Sequence, residues 1–223
     1  MSQTQGVPRW GAVLFDLDGT LADTVELILR SYRHTMKAHL GRELPDERWL
    51  AHLGRPLRYQ LRGFARDEEE TDAMFSTYVA FQKTVHDRMV EPYPGVREVV
   101  ARLRGRGVLL GVVTSKRRTM AERTLSRCGL DGEFDVVVCA DDVARGKPDP
   151  EPVRLALARL GLSAQPERVL FVGDSPFDVR AGMAAGVRTA GALWGPFDRT
   201  VIEAERPDYV LSRIEDLLTV VID

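Results

Sequence analysis

The sequence predicts an α/β fold, a doubly wound parallel-sheet core interrupted by an inserted all-helical cap. Short, continuously apolar runs recur along the chain and alternate with helical patterns, as expected of parallel strands covered on both faces by crossover helices. That rhythm stops over residues 23–90, where helical patterns follow one another without a convincing strand. It resumes after Glu91-Pro92-Tyr93-Pro94-Gly95, a stretch that cannot comfortably continue a helix and reads as a stiff return hinge. The layout is a Rossmann-like core over residues 1–22 and 91–223 with a helical cap over 23–90.

Each element has its own justification. The first strand, residues 11–16, carries the run Ala12-Val13-Leu14-Phe15 and closes on Asp16. In the cap, Ile28, Tyr32, Met36 and Leu40 fall at four-residue steps on one helical face, and Gly41 is placed to end that helix in a left-handed cap. A second cap helix is expected from near Pro45 to Gly54 and a third over about 68–86. Beyond the hinge, apolar runs predict strands at 108–114, 134–139, 168–174 and 187–192, with a weaker one at 208–211.

Composition narrows the function classes. A chain of 223 residues holds one sizeable core, or a core with a smaller insert. Apolar residues make up 44%, and 31 Lys and Arg nearly balance 33 Asp and Glu, so neither disorder nor a nucleic-acid-binding surface is expected. Lys116-Arg117-Arg118 is the densest basic run; without interleaved aromatics it reads as a solvated helix start. Cys128 and Cys139 form no CxxC pair and the four histidines no HExxH, which fits a reducing, cytoplasmic setting without structural zinc. The N-terminal MSQTQGVPRW lacks a long apolar stretch and VLLGVV at 108–113 is far short of the ~20 residues that span a bilayer. A soluble monomer or homodimer with no membrane partner is expected.

The polar residues fall where such a sheet binds ligands. Asp16, Thr114 and Asp174 each close a predicted strand, and Lys147 lies in the loop after the strand at 134–139; in open α/β sheets the ligand crevice lies beyond the carboxyl ends of the strands. Taken singly, a strand-end Asp is a cap or turn residue and Lys147 a solvated loop charge. Asp178 has a specific structural competitor, because Ser175-Pro176-Phe177-Asp178 matches a capping pattern. Their joint occurrence at successive strand ends favours a single site.

DLDGT at 16–20, Thr114-Ser115, Lys147-Pro148 and GDSPFD at 173–178 resemble, in order and spacing, the motifs of the haloacid dehalogenase superfamily. The resemblance implies that Asp16 is a nucleophile that becomes phosphorylated and Asp18 the acid/base, and that Gly19, Thr114, Ser115 and Lys147 line the phosphate site. It further implies that Asp16, the Asp18 carbonyl and Asp174 hold Mg²⁺, with Asp178 behind them. DTVELI at 23–28, EFDVVV at 133–138 and DDVARGKPDPEPVR at 141–154 are similar to the PpaX-type bacterial pyrophosphatases, with phosphoglycolate phosphatases close by.

The chemistry can be weighed without the resemblance. Residues two apart in an extended segment point the same way, so Asp16 and Asp18 share a side, and like charges ~4 Å apart repel by about 4 kcal/mol at an effective dielectric of ~20. Four carboxylates against Lys147 alone leave a formal charge of −3. A dication and a proton on Asp18 bring that to zero, so the count calls for a metal and favours Asp18 as a general acid. The expected reaction is attack of Asp16 on a small phosphorylated anion followed by hydrolysis of the aspartyl-phosphate; the resemblance implies inorganic pyrophosphate as the best substrate, or else phosphoglycolate. A sugar-phosphate mutase and a non-catalytic phospholigand-binding module are the competing readings. In the cap, Gly54-Arg55-Pro56-Leu57 is the candidate loop to dip toward the site, with Arg55 contacting the substrate anion.

Overall fold

A computed structural model describes residues 10–222. The core range therefore extends at both ends past the described residues, and the segment read above as lacking an apolar leader lies outside them except for Trp10. In chain order the elements are β1 Ala12–Phe15, β2 Ala22–Asp23, α1 Val25–Leu40, α2 Glu47–Leu50, α3 Leu57–Arg62, α4 Glu68–Met89 and β3 Glu91–Pro92. These are followed by α5 Val96–Gly105, β4 Leu109–Val113, α6 Arg118–Arg127, β5 Val136–Val138, α7 Glu151–Arg159 and β6 Val169–Gly173. The chain ends with α8 Pro176–Ala185, β7 Arg188–Ala192, α9 Arg199–Ala204, β8 Tyr209–Leu211 and α10 Asp216–Val221.

Six strands form a sheet in the order β5-β4-β1-β6-β7-β8, and every pairing in it is parallel. Strand β1 lies at its centre with Phe15 level with Val112 of β4 and Val172 of β6. The chain builds outward from β1 to β4 and β5, then crosses to the other side for β6 to β8. That reversal is a topological switch point, where adjacent loops part and leave a crevice. The four β1 side chains are fully buried, yet Val13 and Phe15 join the core on one face while Ala12 and Leu14 join the core on the other. The run is continuous in polarity and alternates in destination, as a sheet covered on both sides demands.

Between β2 and β3 the chain builds a separate apolar cluster from α1, α2, α3, α4 and the turns between them. Ile28, Tyr32 and Met36 are buried in it and Leu40 packs against it. Tyr32 stacks on Trp49 at 4.8 Å and Trp49 on Tyr78 at 5.7 Å, so aromatic area replaces the regular layers of the sheet domain. Gly41 ends α1 at φ +69°, its N–H donating to the Lys37 carbonyl.

Three local expectations are corrected. Helix α3 is unforeseen, because six residues with Leu57 and Leu61 as the only aliphatic pair are too short to show a period. Helix α2 is only Glu47–Leu50, with turns carrying the chain on toward Gly54. Glu91-Pro92, read as hinge, pairs antiparallel with Ala22-Asp23; the excursion leaves and re-enters through one two-stranded ribbon, whose edge tolerates a proline.

Candidate active site

The site is built at the carboxyl end of β1. Asp16 follows the last strand residue, is 3% exposed, and has its N–H tied to the Val172 carbonyl at 2.9 Å. The chain then doubles back: Leu21 and Ala22 both donate to the Leu17 carbonyl, at 3.0 and 2.9 Å. Gly19 makes this turn at φ +82°, where a Cβ would stand 2.5 Å from Asp174 Oδ2. Conformation and space both demand glycine there.

Thr114 and Asp174 likewise sit one residue past β4 and β6, and are 4% and 2% exposed. Thr20 Oγ1 donates to Asp174 Oδ1 at 2.8 Å, joining the first loop to the third. Lys147 is fully buried, with its ammonium 2.8 Å from Asp16 Oδ1 and 2.6 Å from Asp178 Oδ1. Asp178 closes a capping box at the start of α8: its Oδ2 accepts from Ser175 N at 3.0 Å and from Ser175 Oγ at 2.6 Å. The structural competitor anticipated for Asp178 is thus present, and its remaining oxygen serves Lys147.

Burial dominates the electrostatics. It pushes the Asp16 carboxyl up to about 7 against the pull of Lys147. It raises Asp174 well above the usual carboxylate range, with the charges of Asp178 and Asp16 adding to the effect. Burial disfavours the Lys147 ammonium too, but Asp16 and Asp178 outweigh it and the net shift is upward. Carboxylate oxygens of Asp16, Asp174 and Asp178 lie within 4.8 Å of one another, and the single ammonium among them, that of Lys147, meets Asp16 Oδ1 at 2.8 Å and Asp178 Oδ1 at 2.6 Å. Three crowded buried carboxylates set against one ammonium leave negative charge uncompensated, which fits a hard cation. Asp16 and Asp174 are the better placed ligands, since both Asp178 oxygens are engaged.

One basic residue overturns the reading of Lys116-Arg117-Arg118 as a solvated helix start. Arg117 and Arg118 are partly exposed and pair with Asp141 and Asp142, but the Lys116 side chain is 7% exposed and its ammonium pairs with Asp18 Oδ1. Thr24 Oγ1 donates to the same oxygen at 2.7 Å. With Lys116 counted, the formal charge of the four carboxylates and two lysines is −2, so a dication alone neutralises it and no proton on Asp18 is needed for balance. The signal was available: Lys116 is two residues past Thr114, the same-side spacing already applied to Asp16 and Asp18. Thr20 and Thr24 had no such signal, because a threonine's partner is set by tertiary placement.

Above this floor opens a cleft of about 950 Å³ that reaches Asp16, Asp18, Thr114, Ser115 and Lys116 below and Arg55, Phe75 and Tyr78 above. Lys147, Asp174 and Asp178 do not line it; they support the floor from behind. The cap loop rests directly on the core: Ser115 Oγ donates to the Gly54 carbonyl at 2.6 Å, and a Cβ on Gly54 would stand 2.6 Å from Ser175 Oγ. The Ser115 hydroxyl proton, expected to face the phosphate, is therefore directed at the cap loop. The Arg55 guanidinium lies 3.5 Å over the Tyr59 ring and 5.2 Å from that of Phe177, its Nε buried without an acceptor.

The sequence profile of the haloacid dehalogenase-like hydrolases matches residues 13–192. Pyrophosphatase PpaX of Bacillus velezensis is 43% identical over 210 residues, covering 94% of this chain and 95% of that protein. Among solved structures, a hydrolase from Pseudomonas syringae superposes with a TM-score of 0.85 at 23% identity, covering 94% of this chain and 96% of that one. A predicted phosphoglycolate phosphatase from Haemophilus somnus 129PT gives 0.84 at 23% identity, covering 96% and 99%. These two likenesses speak to the fold, whereas the profile match spans β1 through β7 and with them every loop of the site. The chain belongs to the haloacid dehalogenase-like hydrolase family.

Proposed function

We propose that the protein is a Mg²⁺-dependent phosphohydrolase that acts through an aspartyl-phosphate on a small phosphorylated anion, with inorganic pyrophosphate the best candidate and phosphoglycolate the alternative. The observation that carries this reading is Asp16: a buried carboxylate at the switch point of the sheet, on the floor of an open cleft, held from behind by the Lys147 ammonium at 2.8 Å. The PpaX relative supports the choice of substrate.

Asp16 attacks phosphorus, its new O–P bond forming as the bond to the leaving oxygen breaks. Thr24 and Lys116 both address Asp18 Oδ1, so Oδ2 is left free; it takes up a proton as the anionic substrate binds, hands it to the leaving oxygen and then takes one from the water that hydrolyses the aspartyl-phosphate. Orthophosphate departs and the Asp16 carboxylate is regenerated. Thr114 holds an equatorial oxygen from the floor, while Lys147, fixed between Asp16 and Asp178, keeps the nucleophile in line and offsets the charge of the transferred group. Mg²⁺ held by Asp16, the Asp18 carbonyl and Asp174 would supply the positive charge that draws a phosphoryl group to an acidic floor. Helices α1–α4 act as the cap over 23–90 that excludes water and selects the leaving group, with Arg55 facing the substrate anion. Among the described residues no helix is long and apolar enough to cross a membrane; the cytoplasmic location proposed for the enzyme is supported by its two buried free cysteines, which suit a reducing setting.

The test is phosphate release from pyrophosphate and from phosphoglycolate, with and without Mg²⁺. Release that depends on Mg²⁺ supports the reading, a higher kcat/KM on pyrophosphate supports the substrate, and Mg²⁺-independent release contradicts it.

A further inference from the structure

Lys116 is a buried cation on the substrate side of the floor. It lines the cleft, whereas Lys147 lies behind it. Its backbone is fixed, the N–H donating to Thr114 Oγ1 at 3.1 Å and the carbonyl accepting from Ala140 N at 3.0 Å, so any movement belongs to the four-carbon side chain. Its side-chain partner is Asp18 Oδ1, which Thr24 serves as well. Asp18 therefore keeps a donor when the ammonium turns to another anion.

Geometry says which anion that is. In-line displacement puts the leaving oxygen opposite Asp16, on the cleft side. If Asp18 Oδ2 protonates that oxygen, carboxylate and hydrogen-bond dimensions place it within about 5 Å of an ammonium bonded to Oδ1. Of the other cations lining the cleft, Arg117 pairs with Asp141 and Arg58 with Asp72 and Glu68, and Lys83 forms no ion pair among the described residues; Lys116 is the one held against Asp18. Arg55 is stacked between Tyr59 and Phe177.

Resting on the phosphohydrolase reading above, we propose that Lys116 recognises negative charge on the leaving group and thereby selects substrates whose departing fragment is itself an anion, such as a phosphate or a carboxylate-bearing alcohol. The ammonium parks on Asp18 in the free enzyme and moves to the leaving group when substrate binds. A lysine that only balanced Asp18 would matter equally for every leaving group. One that also reads the leaving group matters more for anionic fragments.

Pyrophosphate and p-nitrophenyl phosphate separate these roles, since phosphate and nitrophenolate depart with similar basicity but only pyrophosphate carries charge on the departing fragment beforehand. With saturating Mg²⁺, Lys116→Met is expected to lower kcat/KM for both substrates through its loss from Asp18, but about 30-fold more for pyrophosphate than for p-nitrophenyl phosphate, the excess appearing chiefly in KM. Lys116→Arg is expected to recover about tenfold on pyrophosphate, by keeping the charge without the same reach. Equal losses on both substrates, or no loss on pyrophosphate, would overturn the proposal. A binding measurement gives a second readout: by calorimetry, Mg²⁺-loaded wild-type protein should prefer methylenediphosphonate over orthophosphate, and Lys116→Met should lose that preference. An unchanged preference overturns the role of Lys116. Failure of the wild type to turn over either substrate would overturn the phosphohydrolase reading instead, leaving the binding preference to decide on Lys116.

Discussion

Arg58 and Arg62 on α3 meet Asp72 and Glu68 on α4 in exposed ion pairs with side chains 42–60% open to water, whereas Lys147 meets Asp16 and Asp178 at the sheet rim with side chains 1–4% open. The functional groups are alike, and only their solvent differs. On the cap, water screens each charge and the pairs do little beyond covering the helix surface. At the rim the carboxylates repel one another and shift each other's proton affinity. Withdrawal from water, which costs stability, is what gives them reactivity.

The largest effect that can break this contrast is on turnover. Asp16→Asn keeps the shape of the side chain and removes its nucleophilicity, and kcat on pyrophosphate is expected to fall by about 10⁴-fold or more; activity within tenfold of wild type would make Asp16 another charged residue like those on the cap. Next is stability. Lys147→Met leaves Asp16 and Asp178 buried without their cation and is expected to cost about 3–5 kcal/mol by denaturant unfolding, while Arg62→Met on the cap should leave the unfolding midpoint within experimental error.

A pH titration sharpens the comparison further. Asp16 is lifted from its usual 3.8 to about 7, so between those values the folded protein holds a proton that the unfolded chain has released. The stability of the metal-free protein should therefore be greatest at the acid end and fall as pH rises through about 7. Mg²⁺ should stabilise increasingly over the same interval, because it takes the place of the lost protons. A metal-free stability that rises across this window would contradict the burial argument.

Legibility from sequence followed the same divide. The rim was readable because strand runs such as Ala12–Phe15 fix where the chain ends a strand, and chemistry at successive strand ends converges on one crevice. Lys116 was misread because a run of basic residues describes a surface only if all of them face outward, and here one turns in while Arg117 and Arg118 do not. In the cap the long stripe from Ile28 to Leu40 was visible, but α3 was not, since two turns of helix held by packing carry almost no periodic signal. How Arg55 lies between Tyr59 and Phe177 depends on the docking of that loop against the core, which no local pattern encodes.

The most direct test of the account is to trap the phosphorylated enzyme. Wild-type protein turning over pyrophosphate with Mg²⁺ is quenched in acid, reduced with borohydride to convert any aspartyl-phosphate to homoserine, digested and mapped by mass spectrometry. The account predicts homoserine at position 16. Its appearance at another carboxylate, or its absence at every position while substrate is being consumed and the intermediate is shown to survive the quench, would contradict it.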